Sequence, residues 1–279
     1  MSAQSLFRAV SGRLTGLYDG QEAKAIAYLV LKEQFGLDRT AVLTDQAVTV
    51  DEAAWNTLLD RLAAGEPVQY VLGRADFYGR VFSVTSAVLI PRPETEELVQ
   101  WVLEQLPEGA AVADLGTGSG CIAVSLAAER PDAQVEAWDI SPEALAVARA
   151  NALALRTSVS FFQRNMLDEA AWPARRYDAI VSNPPYVKNE EAAEMGSHVL
   201  DHEPHLALFV DDNDPLIFYR AIARLAAGHL RPSGFCAVEI NQAFGPETAA
   251  EFTRAGFASV EIRKDLSGRD RMVLARHPR

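Results

Sequence analysis

The chain is most constrained by a strand-like apolar run at 110–114 that breaks into Leu115-Gly116-Thr117-Gly118-Ser119-Gly120 and then into a helical pattern from Cys121 to about Glu129. Strand-like segments recur at 134–138, 159–163, 177–182, 235–240, 259–263 and 270–276, with helical patterns between all but the last two. That alternation predicts an α/β fold built on a mostly parallel, doubly wound seven-stranded sheet. The missing helix before 270–276 predicts that the last strand is antiparallel. Residues 1–66 read as a small helical domain, with Ala23, Ile26, Ala27, Val30 and Leu31 on one face. Gly65-Glu66-Pro67 marks its end. Residues 67–90 suggest a β-hairpin connector, with strands at 78–84 and 87–90 joined by Thr85-Ser86, and 91–279 form the α/β domain.

Glycines let a turn take positive φ and let a ligand approach the backbone. Here they alternate, unlike the dinucleotide Gly-x-Gly-x-x-Gly form, and Asp114 stands just before them. The loop looks like the S-adenosylmethionine loop of class I methyltransferases. That likeness assigns Gly116, Thr117, Gly118, Ser119 and Gly120 to the donor, with Asp114 holding the loop and the donor's cationic amino-acid end. Asp139 ends the next strand, nineteen residues after Gly120, where an acidic side chain can accept from ribose hydroxyls. Ser141 caps the following helix, with Pro142 in its first turn. After the third strand, Asn165 can bond an adenine and Met166 can pack on its face. Asn183-Pro184-Pro185-Tyr186 follows the fourth strand, and two prolines there force a turn. Ligands of open α/β sheets bind at that end of the strands.

Several segments together resemble the HemK/PrmC family, the protein-(glutamine-N5) methyltransferases that modify peptide release factors. They are 67–73, Phe77-Tyr78-Gly79, Leu89-Ile90-Pro91-Arg92-Pro93-Glu94-Thr95-Glu96, 114–120, 182–186, Glu203-Pro204 with Ala207-Leu208, and 264–268. The likeness covers nearly the whole chain, and the segment 89–96 discriminates best. Asn165 departs from it, since Asp is commoner there. The resemblance implies S-adenosyl-L-methionine as methyl donor and class I peptide chain release factors as partners. Their Gly-Gly-Gln glutamine would receive the methyl on its side-chain amide nitrogen. Asn183 Oδ1 and the Pro184 carbonyl would accept the two N–H bonds of that amide, with Tyr186 packed on its plane. Asn183 thus faces both donor and acceptor, Pro185 shapes the pocket, and the helical domain grips the partner. Arg92 and Glu94 are expected to order the pocket without catalytic roles.

The formal charge of −12 argues against a nucleic-acid substrate, because such binding draws on Lys and Arg. No run is long and apolar enough for a membrane span, and no basic-then-apolar leader opens the chain, so a cytoplasmic location is expected; a monomer is expected as well. The two cysteines, Cys121 and Cys236, suggest neither a disulfide framework nor a metal box. Cys121 opens a helix, where a low thiol pKa is possible, although packing is the favoured role. His198, His202 and His205 have a metal-like spacing interrupted by Pro204, and no metal is expected. Residues 187–214 read as a long irregular loop that closes over substrate. The basic cluster Arg263, Lys264, Arg269, Arg271, Arg276 and Arg279 reads as solvated strand edges. A ribosomal-protein glutamine methyltransferase, an adenine N6-methyltransferase that flips out its base and a non-catalytic donor-binding scaffold remain as alternatives.

Overall fold

The computed structural model describes residues 1–278. It divides into two compact units, 1–74 with 196–202, and 75–195 with 203 onward.

The first unit contains α1 (Ala3–Arg13), α2 (Gly20–Phe35), α3 (Arg39–Leu43), α4 (Glu52–Ala63) and α5 (Val68–Leu72). Asp19 and Asp51 cap α2 and α4 by accepting from backbone N–H groups in the first turn, which satisfies donors that lack an intrahelical partner. The predicted face of α2 is buried in a core with Leu6, Val10, Trp55 and Leu62. α4 ends just before Gly65-Glu66-Pro67, as expected, and a further short helix, α5, then begins with Pro67 at its N-cap, where proline's fixed φ is tolerated. The short α9 (Ser197–Leu200) belongs to this unit, where the His198 ring lies 5.5 Å from that of Tyr18.

The connector pairs β1 (Arg74–Phe77) with β2 (Arg80–Ser83). Its turn is Tyr78-Gly79 rather than Thr85-Ser86, and 87–90 is not a strand. Tyr78 and Gly79 take φ of 49° and 70°, the mirror-image turn whose twist suits a tight hairpin.

The second unit continues through α6 (Pro93–Leu103), β3 (Ala111–Leu115), α7 (Cys121–Glu129), β4 (Gln134–Asp139), α8 (Pro142–Ala154), β5 (Val159–Gln163) and β6 (Tyr177–Ser182). Then follow β7 (Val187–Lys188), α10 (His205–Leu208), β8 (Phe209–Val210), α11 (Ile217–His229), β9 (Leu230–Glu239), α12 (Gly245–Arg254), β10 (Ser259–Lys264) and β11 (Asp270–Arg276). The seven-stranded sheet runs β10-β11-β9-β6-β3-β4-β5. β3, β4, β5, β6 and β9 pair in parallel, while β11 is antiparallel to both β9 and β10. Alternate residues feed two cores: Val112, Ala137 and Val181 pack with α6, α7 and α8, and Ala113, Trp138 and Ile180 with α11 and α12. This is the Rossmann-like class I methyltransferase architecture. From β3 the chain winds outward through β4 and β5, then returns to β6 on the other side. The loops after β3 and β6 therefore part at the topological switch point.

Residues 187–214 are less irregular than expected. The β7–β8 pair, a 3₁₀ turn at Asn189–Glu194, α9 and α10 divide them.

Candidate active site

A cavity of about 390 Å³ opens at that switch point, within the range of small-molecule sites. Gly116, Thr117, Gly118 and Ser119 form one wall, Asp139, Asn165 and Met166 another, and Asn183 and Pro185 a third. Gly116 has φ +72°, and an added Cβ would stand 3.2 Å from Met166 Cε. Gly120, at φ +81°, packs behind the cavity, where a Cβ would meet that of Ala148 at 3.1 Å. The loop thus needs glycine both for its conformation and for close approach.

Two carboxylates hold this loop. Asp114 is completely buried beneath it and does not line the cavity. Its Oδ2 accepts from the Thr117 hydroxyl at 2.6 Å and the Ala123 N–H at 3.2 Å, while Oδ1 has no hydrogen-bond partner among the described residues. Burial pushes this carboxyl up to about 7, against those two hydrogen bonds. Asp139 Oδ2 accepts from the Gly118 N–H at 2.8 Å, and Oδ1 accepts from the Ser141 N–H at 2.9 Å. Burial raises its pKa as well, while the backbone N–H bonds pull it down. Asp139 therefore ties the tip of the loop to the end of β4 while facing the cavity. Asn165 Oδ1 accepts from the Leu167 N–H at 2.9 Å, which leaves its Nδ2 as the group available to a ligand edge.

The opposite end is wired by side chains. Ser182 donates to the Leu115 carbonyl at 2.6 Å, tying the ends of β6 and β3 together. Asn183 Nδ2 donates to Thr95 Oγ1 at 3.2 Å, and Thr95 donates to Glu239 Oε2 at 2.6 Å. Tyr186 donates its phenol to Glu239 Oε1 at 3.0 Å. Burial and the neighbouring Glu239 push the Tyr186 phenol well up, so it stays a neutral donor. Asn241 Nδ2 donates to the Tyr186 carbonyl at 3.2 Å, supporting the turn from behind. Of the proline-rich turn, Asn183 and Pro185 face the large cavity. Pro184 is buried, and Tyr186 lines a neighbouring cavity of about 230 Å³ with Asn241, Arg269 and Arg271.

Two motifs more than a hundred residues apart in the sequence meet here. Glu203, 3% exposed, accepts from Arg92 Nη2 at 2.7 Å and from the Ile90 N–H at 3.2 Å. This places Pro204, Leu206 and Ala207 on the cavity wall. Neither Thr95 nor Glu239 stands out individually in the sequence. The available signal was Thr95 inside the discriminating segment 89–96, and an acidic residue ending an otherwise apolar strand.

Other expectations fare differently. Burial pushes the Cys121 thiol up to about 12, in line with the favoured packing role rather than an activated thiol. Arg271 is no solvated edge: it pairs with Asp265 at 3.1 Å, with side chains only 14% and 3% exposed. Arg263 stacks over Trp101 and Arg276 bonds Gln105, whereas Arg279 lies outside the described residues. Among the described residues, no group of three or more His, Cys, Asp or Glu side chains is arranged to hold a metal ion. No helix among them is long and apolar enough to cross a membrane.

The sheet, its alternating-glycine loop and the Asn-Pro-Pro-Tyr turn at its switch point define a class I methyltransferase. Residues 94–205 match the methyltransferase small domain, and residues 5–73 match the PrmC N-terminal domain. A release factor glutamine methyltransferase of Bacteroides thetaiotaomicron is 43% identical, over 94% of this chain and 95% of its own. One of Cereibacter sphaeroides is also 43% identical, over 100% and 99%. The crystal structure of a methyltransferase from Pyrococcus furiosus shares the fold at 14% identity, with a TM-score of 0.55 over 80% of this chain and all of that one. The chain belongs to the release factor glutamine methyltransferase family.

Proposed function

We propose that this protein transfers a methyl group from S-adenosyl-L-methionine to the side-chain amide nitrogen of the Gly-Gly-Gln glutamine in class I peptide chain release factors. Family membership over nearly the full chain supports the reaction and the partner. The observation that carries the reading is Asn183 on the same cavity wall system as the glycine loop, with its amide already oriented by Thr95.

The cavity fits the donor: Gly116 leaves room that a Cβ would take from Met166, and Asp139 offers lone pairs beyond its backbone bonds. Gly116 to Ser119 would hold the amino-acid end, Asp139 the ribose, and Asn165 Nδ2 with Met166 the adenine. When bound, S-adenosylmethionine supplies a methyl group on a sulfonium cation.

An amide nitrogen is a weak nucleophile because its lone pair is delocalised. Asn183 Oδ1 and the Pro184 carbonyl accept its two N–H bonds, aim the lone pair and stabilise the positive charge that develops on nitrogen. Tyr186, a neutral phenol anchored on Glu239, closes the site against water. Fixing both reactants contributes several kcal/mol through orientation alone, roughly 7 or more in the best intramolecular cases. The methylated nitrogen is acidic enough to release its proton without a dedicated base. The helical unit holds the release factor, the protein acts as a monomer in the cytoplasm, and nucleic acid is not a direct substrate.

Incubation with labelled S-adenosylmethionine and a bacterial class I release factor tests this. Peptide mass spectrometry should find one methyl on the Gly-Gly-Gln glutamine, lost when that glutamine is alanine. Methyl on a ribosomal protein or on adenine instead would replace the assignment of partner.

A further inference from the structure

We propose that Glu239 is a positioning residue for methyl transfer, setting through the Thr95 hydroxyl which edge of the Asn183 amide faces the acceptor. This rests on the reading of Asn183 as the acceptor-binding residue.

The two ends of an asparagine amide are nearly the same size, so shape alone does not choose between them; the hydrogen-bond network must. Glu239 ends β9 and is 1% exposed. Its register neighbour Val238 pairs with Ser182, the residue before Asn183, so the carboxyl stands beside the turn. Both oxygens are in use: Oε1 accepts from the Tyr186 hydroxyl at 3.0 Å, and Oε2 accepts from the Thr95 hydroxyl at 2.6 Å.

Thr95 is 2% exposed, in the first turn of α6, and has only one hydroxyl proton. Once that proton is committed to Glu239, only oxygen lone pairs face Asn183. The asparagine must then present its NH₂ to Thr95, as it does at 3.2 Å, and turn Oδ1 away from that bond. An incoming primary amide offers N–H groups, so the acceptor edge is the productive one. Without the carboxylate, the Thr95 hydroxyl is free to donate to Asn183. The amide can then flip and set a donor against a donor. Burial raises the pKa of Glu239, while the hydrogen bonds from Thr95 and Tyr186 and the charge of Arg271 on β11 favour its ionised form and Glu94 on α6 opposes it.

The test compares five variants by turnover on the release factor and by donor affinity in calorimetry. Glu239→Gln keeps the shape but offers one acceptor to two hydroxyl donors; Thr95→Val removes the relay. Each should lower kcat by about tenfold to a hundredfold, below the roughly hundredfold or greater loss of removing an oriented group outright, with donor Kd within about twofold of wild type. Thr95→Ser, which keeps the hydroxyl, should restore most of kcat. In an Asn183→Ala background, Glu239→Gln should cost nothing further, because residues acting as one unit are non-additive. Wild-type kcat in Glu239→Gln and Thr95→Val, with Asn183→Ala crippled, overturns this inference and leaves the acceptor reading intact. Multiplying losses in the double variant overturn it too, by making the role of Glu239 merely structural. Wild-type turnover in Asn183→Ala removes the acceptor reading itself and the inference with it.

Discussion

The glycine-loop end of the cavity and its Asn183 end are built by opposite means. At the loop end, backbone does the holding: Gly116 and Gly120 adopt φ that other residues resist, and two aspartates brace the loop through N–H groups. Nearly all of it comes from one stretch of chain. At the Asn183 end, the shape depends on side chains brought from far apart, Thr95 from α6 and Glu239 from β9. The loop end is built around close approach to a ligand, the other around the direction of single hydrogen bonds. Damage to the first should appear as lost affinity for the donor, and damage to the second as lost turnover.

The sharpest way to break this contrast is Asn183→Ala. Turnover should fall about a hundredfold or more, while calorimetry finds donor affinity within about twofold. A proportional loss of both would dissolve the distinction. Gly116→Ala should do the reverse. Forcing a Cβ into positive φ costs about 1–2 kcal/mol, so donor Kd should rise about tenfold, with kcat at saturating donor little changed.

A third test addresses the brace. Asp114 holds its proton up to about pH 7 in the folded protein, whereas an unfolded aspartate releases it near pH 4. Between those values the unfolded chain binds fewer protons than the folded one, so this group's contribution to stability is full below about pH 4. It is lost as pH rises, at roughly 1.4 kcal/mol per unit. Denaturant unfolding of wild type and Asp114→Asn from pH 4 to 8 should show a gap that changes with pH up to about 7 and then levels. A constant gap would assign the carboxyl an ordinary pKa. The smallest effect is expected in the first unit. Asp51→Ala, which removes the cap of α4, should lower Tm by a few degrees and leave donor affinity unchanged.

The same contrast explains what the sequence reveals. Strand, glycine turn and helix are local signals, so the sheet, the antiparallel last strand and the loop can be read from spacing alone. Hairpin strands were misplaced because Tyr78, a non-glycine residue at positive φ, gives little warning of a turn. Gly65-Glu66-Pro67 does follow the end of α4, but Pro67 also caps the short α5, a helix start with no side-chain cap bond to announce it. The relay from Asn183 to Glu239 joins residues up to 144 positions apart, and no local pattern announces such a partner. Arg271 looked like surface charge because its burial depends on Asp265 across the β10–β11 turn.

The first unit takes residues 1–74 and then 196–202, more than a hundred positions later. On the ribosome, its amino-terminal helices emerge early, but the unit is complete only after residue 202 has left the exit tunnel. By then four strands of the main sheet are already synthesised. A single cut near residue 74 would therefore strand α9 on the wrong fragment. Anyone seeking to swap the amino-terminal region between relatives must transplant two segments together.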